Sequence, residues 1–150
     1  MKVNILAEME FNMDFLRTEA KRIRTSIKDI RKYTAAEVEE FLQEPSLIDS
    51  TKYKLLIAIE GCIAICNHFT SRMGEQIPNS YSECFEILYK LNIITEDLTQ
   101  KLKKMAKFRN LLIHIYWEVE DKKIYEITKK DLADIEEYLE QIGQFLKEKL

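Results

Sequence analysis

The feature that most constrains the fold of this chain is the recurrence of apolar residues at intervals of three and four along most of its length. Such spacing places the apolar side chains on one face of an α-helix. Gly occurs three times and Pro twice in 150 residues, so the sequence lacks the frequent turn residues that β-sandwiches and barrels need. The pattern therefore predicts an all-α fold.

The periodicity predicts an up-and-down four-helix bundle with an additional short flanking helix, forming one domain over residues 1–150. The central helix should be the one that contains the nearly apolar stretch Leu55–Cys66. The predicted helical segments are 15–30, a short turn over 35–43, 49–69, 80–91, 95–114 and a last helix that ends near 147.

Local signals set the boundaries of these segments. Pro45 should end the short turn, since proline disrupts a helix that has already begun. Thr95, followed by two acidic residues, is typical of a helix N-cap. Thr128-x-x-Asp131 resembles a capping box that opens the last helix. Residues 117–126 break the pattern and are predicted to form a loop or a short extended piece.

Charge and cysteine content exclude several classes of protein. The formal net charge of −3 excludes a globally basic nucleic-acid binder but not a local basic patch. Three cysteines, with no C-x-x-C pair, do not form a disulfide framework. The sequence has no apolar run of the roughly 20 residues that span a membrane, and its start is a poor secretory signal. We expect a cytoplasmic protein with no membrane partner.

Residues 101–109, KLKKMAKFR, hold five basic residues and no acidic one. A basic row on one helix suits a phosphate backbone, and Lys103 and Lys107 are the candidate RNA-binding residues. The alternative is a solvated helix face without a ligand.

Arg109 falls on the apolar stripe of the same helix. The stripe comprises Leu98, Leu102, Met105, Ala106 and Ile113. A guanidinium is rarely placed on a core-facing side without a partner. Arg109 therefore needs a buried carboxylate, or it lies at a cleft or a subunit interface. Glu60 is a candidate for that carboxylate, and a surface-exposed Glu60 is the alternative.

Arg109 begins the octet Arg-Asn-x-x-x-His-x-Tyr, which ends at Tyr116. Composition alone gives this octet a probability of about 0.0002. Asn110 and His114 are four apart and share a helix face. Arg109 and His114 are five apart, about 7.5 Å along the axis and about 140° around it. Either the helix loosens near His114, or a second copy of the chain completes the site.

The segment RNLLIHIYWEVEDKKIYEI, with the preceding PNSYSECFEILYKLNIITEDLTQKLKKMAKF, resembles HepT-like proteins of the HEPN superfamily. These are the toxins of HepT–MntA toxin–antitoxin pairs. ICNHF at 65–69 resembles the family's second helix. The resemblance covers roughly 46–150, and the octet shows no departure from the family motif.

The resemblance implies a four-helix HEPN fold, a homodimer, and an endoribonuclease that needs no metal or other cofactor. It assigns catalysis to Arg109 and His114. It also implies that Tyr116 is AMPylated by a partner minimal nucleotidyltransferase, the antitoxin.

The chemistry of the residue types agrees with that implication. A histidine can take or give the proton when a 2′-hydroxyl attacks the adjacent phosphate. An arginine can hold the phosphate oxygens as negative charge builds. Asn110 could orient the imidazole or contact the phosphate, and Tyr116 could stack near the site.

Other polar and aromatic residues have structural interpretations. Cys62, Cys66 and His68 give a C-x3-C-x-H spacing, with Cys84 as a fourth metal ligand, but cysteines on the most apolar helix are typical of core packing. His68 is expected to be a satisfied polar residue near a helix end. The aromatic residues Trp117 and Tyr125 are expected in the core or at a dimer contact, and the alternative is that they stack on RNA bases beside the basic patch.

Two other functions remain open from the sequence. Related bundles serve as non-catalytic partner subunits of nucleotidyltransferases, where the same Arg and His would bind a nucleotide phosphate. The chain could also be a structural bundle in which the octet has no function.

Overall fold

The computed structural model describes residues 11–73, 76–115 and 118–150, and within these ranges its regular secondary structure is entirely helical. The all-α prediction is confirmed. The helices are α1 (Met13–Tyr33), α2 (Val38–Leu42), α3 (Pro45–Met73), α4 (Tyr81–Lys90), α5 (Glu96–His114), α6 (Asp121–Lys130) and α7 (Leu132–Leu146). Helices α1, α3, α5 and α7 are the long members of the bundle, and α2, α4 and α6 are short.

Helix α3 is the central element, as the apolar run 55–66 predicted. Buried side chains from α1, α3, α4, α5 and α7 join in one hydrophobic cluster around it. At Gly61 a Cβ atom would lie 2.6 Å from Cγ1 of Ile23, so α1 and α3 approach each other closely at this glycine. Helix α3 also begins earlier than predicted. Pro45 is its first residue, a position where the missing N–H costs nothing.

Helices α1 and α7 run antiparallel. Near one end of the pair, Nε of Arg17 donates to Glu148 at 2.7 Å, and near the other Nη1 of Arg31 donates to Glu136 at 3.0 Å. These exposed pairs lie on the side of the bundle formed by α1 and α7.

A tight turn folds α4 back along α5. Asn92 adopts a left-handed conformation (φ 61°), and the N–H of Ile93 donates to the carbonyl of Leu88 at 3.0 Å. Thr95 precedes α5 as its N-cap, and its hydroxyl accepts from the N–H of Leu98, so the predicted N-cap is confirmed. The turn places the first residue of α4 beside the C-terminal half of α5.

Two predictions between α5 and α7 are wrong. The predicted loop over 117–126 contains the start of helix α6. Thr128 does not cap the last helix, because it lies inside α6 and its hydroxyl donates to the carbonyl of Tyr125. Asp131 joins α6 to α7 without a side-chain capping bond.

Within the described ranges, none of the helices is both long enough and apolar enough to cross a membrane.

Candidate active site

Arg109 lies on the inward side of α5, as the apolar stripe predicted. Its side chain is 17% exposed, although it carries a permanent charge. Leu98, Leu102 and Ala106 on the same side are buried. The local helix pattern therefore places a guanidinium at the edge of the hydrophobic core.

Three groups hold this guanidinium. Nε donates to Oε1 of Glu60 on α3 at 2.5 Å, which confirms that Arg109 has a carboxylate partner. Nη1 donates to Oδ1 of Asn110 at 3.3 Å. The guanidinium carbon lies 4.9 Å from the ring centroid of Tyr81, within the range of a cation–π contact.

The bonds to Glu60 and Asn110 use Nε and Nη1. Nη2 donates no hydrogen bond within the described part of the chain. Arg109 therefore combines a fixed orientation with a free donor group, which is the arrangement that a bound phosphate oxygen requires.

His114 is the last residue of α5 and is exposed. The helix is continuous from Glu96 to this residue, so Arg109 and His114 keep the offset of about 140° predicted for five helical positions. Within one chain, Arg109 turns inward to Glu60 while His114 lies at the surface. Among the described residues, the contacts of Arg109 are with Glu60, Asn110 and Tyr81, and none joins its side chain to His114.

The outer face of α5 carries a polar stripe. Lys103, Lys107, Asn110 and His114 recur at intervals of four, three and four, which places them on one side of the helix. Lys107, Asn110 and His114 are exposed. Lys103 instead pairs with Glu86 on α4, its Nζ 2.6 Å from Oε2, so part of its charge is already balanced.

Two apolar residues flank this stripe. Leu111 is 51% exposed and Ile113 is 38% exposed. The prediction that Ile113 belongs to the buried stripe is wrong, because Leu112 takes that inward position and is fully buried. The C-terminal part of α5 thus presents His114 between two exposed aliphatic side chains.

Tyr116, the predicted modification site, lies outside the described residues, as does Trp117. Tyr125 lies in α6. Its hydroxyl donates to the carbonyl of Ala36 at 2.8 Å, and its ring packs against Phe41 with centroids 5.3 Å apart. Tyr125 is therefore a packing residue, as expected.

His68 is remote from this arrangement and serves the core. It is buried, and its Nε2 accepts the N–H of Asn12 at 3.1 Å, next to the start of α1. Its ring stacks on Phe15, with centroids 5.2 Å apart. Burial, together with the positive charge of Arg72, lowers the pKa of His68 to about 4. The expectation of a satisfied polar residue is confirmed.

The three cysteines are buried, as the core interpretation predicted. Burial raises the pKa of the thiols of Cys62 and Cys66, which disfavours the thiolate that a metal needs. A hydrogen bond with Cys66 lowers the pKa of Cys84. Across the described ranges, His, Cys, Asp and Glu form no cluster of three or more that could hold a metal.

The sequence did not single out Tyr81. Its spacing in α4 gives no sign of a contact with Arg109, because that contact depends on the turn between α4 and α5. A half-buried tyrosine at a helix start is also common in structural roles.

Comparison with known proteins gives a consistent result. Residues 23–142, which include the Arg109–His114 segment, match the family model described as HepT-like, ribonuclease HepT-like. The mRNA nuclease HepT of Shewanella oneidensis is 30% identical over 129 residues, covering 86% of this chain and 96% of that protein. A putative RNase of Archaeoglobus fulgidus is 27% identical over 112 residues, covering 75% of this chain and 84% of that protein.

The fold matches a solved complex as well. The tri-AMPylated Shewanella oneidensis HEPN toxin, determined with the MNT antitoxin, superposes with a TM-score of 0.80 at 30% identity. The match covers 87% of this chain and 98% of the toxin chain.

Proposed function

The chain belongs to the HepT-like ribonuclease family, and we propose that it cuts RNA with Arg109 and His114 acting on one phosphate. Membership makes it an endoribonuclease of the toxin type found in toxin–antitoxin systems. The observation that carries the residue assignment is the orientation of Arg109, which is fixed by Glu60 and keeps Nη2 available.

The proposed reaction is an internal transesterification. The 2′-oxygen attacks the adjacent phosphorus and loses its proton to a base, while the bond to the 5′-oxygen breaks and that oxygen takes up a proton. The products are a 2′,3′-cyclic phosphate and a 5′-hydroxyl. His114 either takes the proton of the 2′-hydroxyl or gives the 5′-oxygen its proton, with water as the partner in the other transfer, and Arg109 stabilises the charge on the non-bridging oxygens. Neither role requires a metal ion or another cofactor.

The catalytic pair is shared between two chains in this proposal. Arg109 and His114 point in different directions on one continuous helix. Leu111 and Ile113 supply exposed apolar surface beside His114, which suits a two-fold contact between copies of α5. In such a homodimer the His114 of one chain approaches the Arg109 of the other.

RNA would follow the outer face of α5. From Lys107 to His114 the stripe rises about 10 Å, enough to follow a short piece of RNA backbone. Lys107 is the better backbone contact, since Lys103 would first have to leave Glu86. Asn110 is placed to contact the same phosphate or to support Arg109.

The activity of the ribonuclease is proposed to be controlled by a partner protein. The similar Shewanella toxin is AMPylated in its complex with the MNT antitoxin. We infer that a minimal nucleotidyltransferase binds this chain and transfers AMP to Tyr116, which follows His114 by two residues. Such a modification would add a negatively charged phosphate seven residues after Arg109 in the sequence, within the octet proposed to act on RNA. With the partner and ATP, Tyr116→Phe should incorporate no AMP at this position.

The direct test is cleavage of total RNA by the purified chain in EDTA. The wild type should cut and leave 2′,3′-cyclic phosphate ends, whereas Arg109→Ala and His114→Ala should lose at least about 100-fold in rate. Arg31→Ala is the matched control, because Arg31 also pairs with a glutamate but lies on α1. Equal cleavage by all four proteins would overturn the residue assignment. Nucleotide binding without cleavage would indicate a partner subunit instead.

A further inference from the structure

Arg109 lies between a carboxylate from α3 and an aromatic ring from α4. Glu60 contacts the Nε edge at 2.5 Å, and Tyr81 lies under the guanidinium at 4.9 Å. The two contacts come from different helices and are made by different atoms, Nε in one and the guanidinium carbon in the other. Together they restrict the movement of the charged group.

The exposure of Glu60 and Arg109 indicates that their ion pair is not simply part of the core. The side chain of Glu60 is 42% exposed, whereas that of Arg109 is 17% exposed. A partly exposed ion pair contributes little to the stability of a fold. Its measurable effect should therefore lie in the geometry of Arg109.

We propose that Glu60 and Tyr81 are positioning residues for the ribonuclease reaction, an inference that rests on the proposed role of Arg109. Glu60 keeps Nε engaged, so that the Nη2 side faces the RNA phosphate. Tyr81 keeps the guanidinium from tilting. Neither residue touches the reacting atoms, and both act through Arg109.

Glu60 could instead have the opposite role and compete with RNA for the guanidinium of Arg109. A carboxylate beside a guanidinium could occupy it until RNA displaces it, and removing Glu60 would then speed cleavage. The bonding pattern favours positioning, because the bond from Glu60 uses Nε and leaves Nη2 free. The two roles predict effects of opposite sign.

The test measures single-turnover cleavage of a short RNA by the full chain at saturating and subsaturating RNA. Glu60→Ala should lower the rate at saturating RNA by about 10- to 100-fold, since small misplacement of a catalytic group has effects of this size. The apparent KM should change little, because positioning acts on the transition state. Glu60→Gln keeps an acceptor for Nε and should lose less than Glu60→Ala.

Two substitutions test Tyr81, one that removes the aromatic ring and one that keeps it. Tyr81→Leu should lower the rate about three- to tenfold, the size of a lost cation–π contact, and Tyr81→Phe should lose less because it keeps the aromatic face. Glu136→Ala is the matched control for Glu60→Ala, since it removes the glutamate of an Arg–Glu pair that joins α1 to α7 and does not involve Arg109. Thermal unfolding of each variant checks that it is folded at the assay temperature.

A double-mutant cycle decides whether Glu60 acts through Arg109. Glu60→Ala combined with Arg109→Ala should be no slower than Arg109→Ala alone. Wild-type or faster cleavage by Glu60→Ala, with Arg109→Ala inactive, would overturn the positioning role and leave the proposed function intact. Additive losses in the double variant would also overturn it. Full activity of Arg109→Ala would remove the proposed function itself.

Discussion

The two histidines of the chain occupy opposite environments. His68 is buried, accepts a backbone N–H from the start of α1, and has its pKa lowered to about 4. His114 is exposed at the end of α5. One therefore serves as a neutral hydrogen-bond acceptor in the core, and the other is accessible to a ligand.

The lowered pKa of His68 makes the stability of the fold depend on pH. Between pH 6.5 and 4 the unfolded chain binds a proton at His68 that the folded chain does not bind. The free energy of unfolding should therefore fall as the pH drops through this window, by about 2 kcal/mol from this residue.

His68→Gln provides the comparison, because glutamine can accept the N–H of Asn12 but does not titrate. Urea unfolding at pH 7 and at pH 4.5 should show a smaller loss of stability in His68→Gln than in the wild type, while ionisable groups elsewhere affect both proteins equally. The same loss in both proteins would contradict the buried, neutral state of His68.

The arginine at the site was predictable from the sequence, whereas its surroundings were only partly so. Arg109 stands out because it interrupts an apolar stripe, and the need for a carboxylate pointed to Glu60 on the most apolar helix. Tyr81 was not predictable, because its contact arises from the α4–α5 turn at Asn92. Local patterns show which side of a helix a residue occupies, but not which element it meets there.

At the scale of elements, α5 carries nearly all of the proposed chemistry. Its inner side holds Arg109 against α3 and α4, and its outer side presents Lys107, Asn110 and His114. A single helix would therefore link the core to the proposed RNA-binding surface, so substitutions on its two sides should have different effects.

Lys107→Glu tests the outer side. Loss of one phosphate contact should weaken RNA binding and lower the slope of log affinity against log salt by about 0.7. Lys28→Glu is the matched control, since it makes the same charge change at an exposed position on α1. Both substitutions are made in a catalytically inactive variant, so that the RNA is not cut. Fluorescence anisotropy of a labelled RNA then measures the affinity at several salt concentrations and gives the slope for each. Equal salt slopes for the two variants would contradict an RNA path along α5.

Helix α6 shows where sequence patterns failed at this scale. The residues DKKIYEITKK are mostly polar, and burial within them is confined to Ile124 and Thr128. Contacts from distant segments stabilise the helix, including an ion pair from Asp121 to Lys52 at 3.1 Å and a bond from Lys129 to the carbonyl of Thr34 at 2.5 Å. Ile124, Ile127 and Thr128 do follow helical spacing, but this stripe covers only about one turn, whereas the apolar faces of the long helices repeat over several turns.

At the scale of the whole molecule, one chain supplies a helical bundle that, in the proposed mechanism, needs a second copy to complete the site. Arg109 is held inside, His114 is exposed, and the apolar side chains of Leu111 and Ile113 lie beside it. A second copy that covers these two side chains would bury them and bring its own His114 towards Arg109. Catalysis and dimer formation are therefore expected to depend on the same face of α5.

Subunit complementation can show whether two chains share the catalytic pair. Arg109→Ala and His114→Ala chains, each inactive alone, are mixed under conditions that exchange subunits, and native mass spectrometry confirms the mixed dimer. A site shared between chains leaves one intact Arg–His pair in each mixed dimer, so RNA cleavage in EDTA should return to about a quarter of the wild-type rate. Mixed dimers that form but cleave no faster than either parent would contradict a catalytic pair built from two chains.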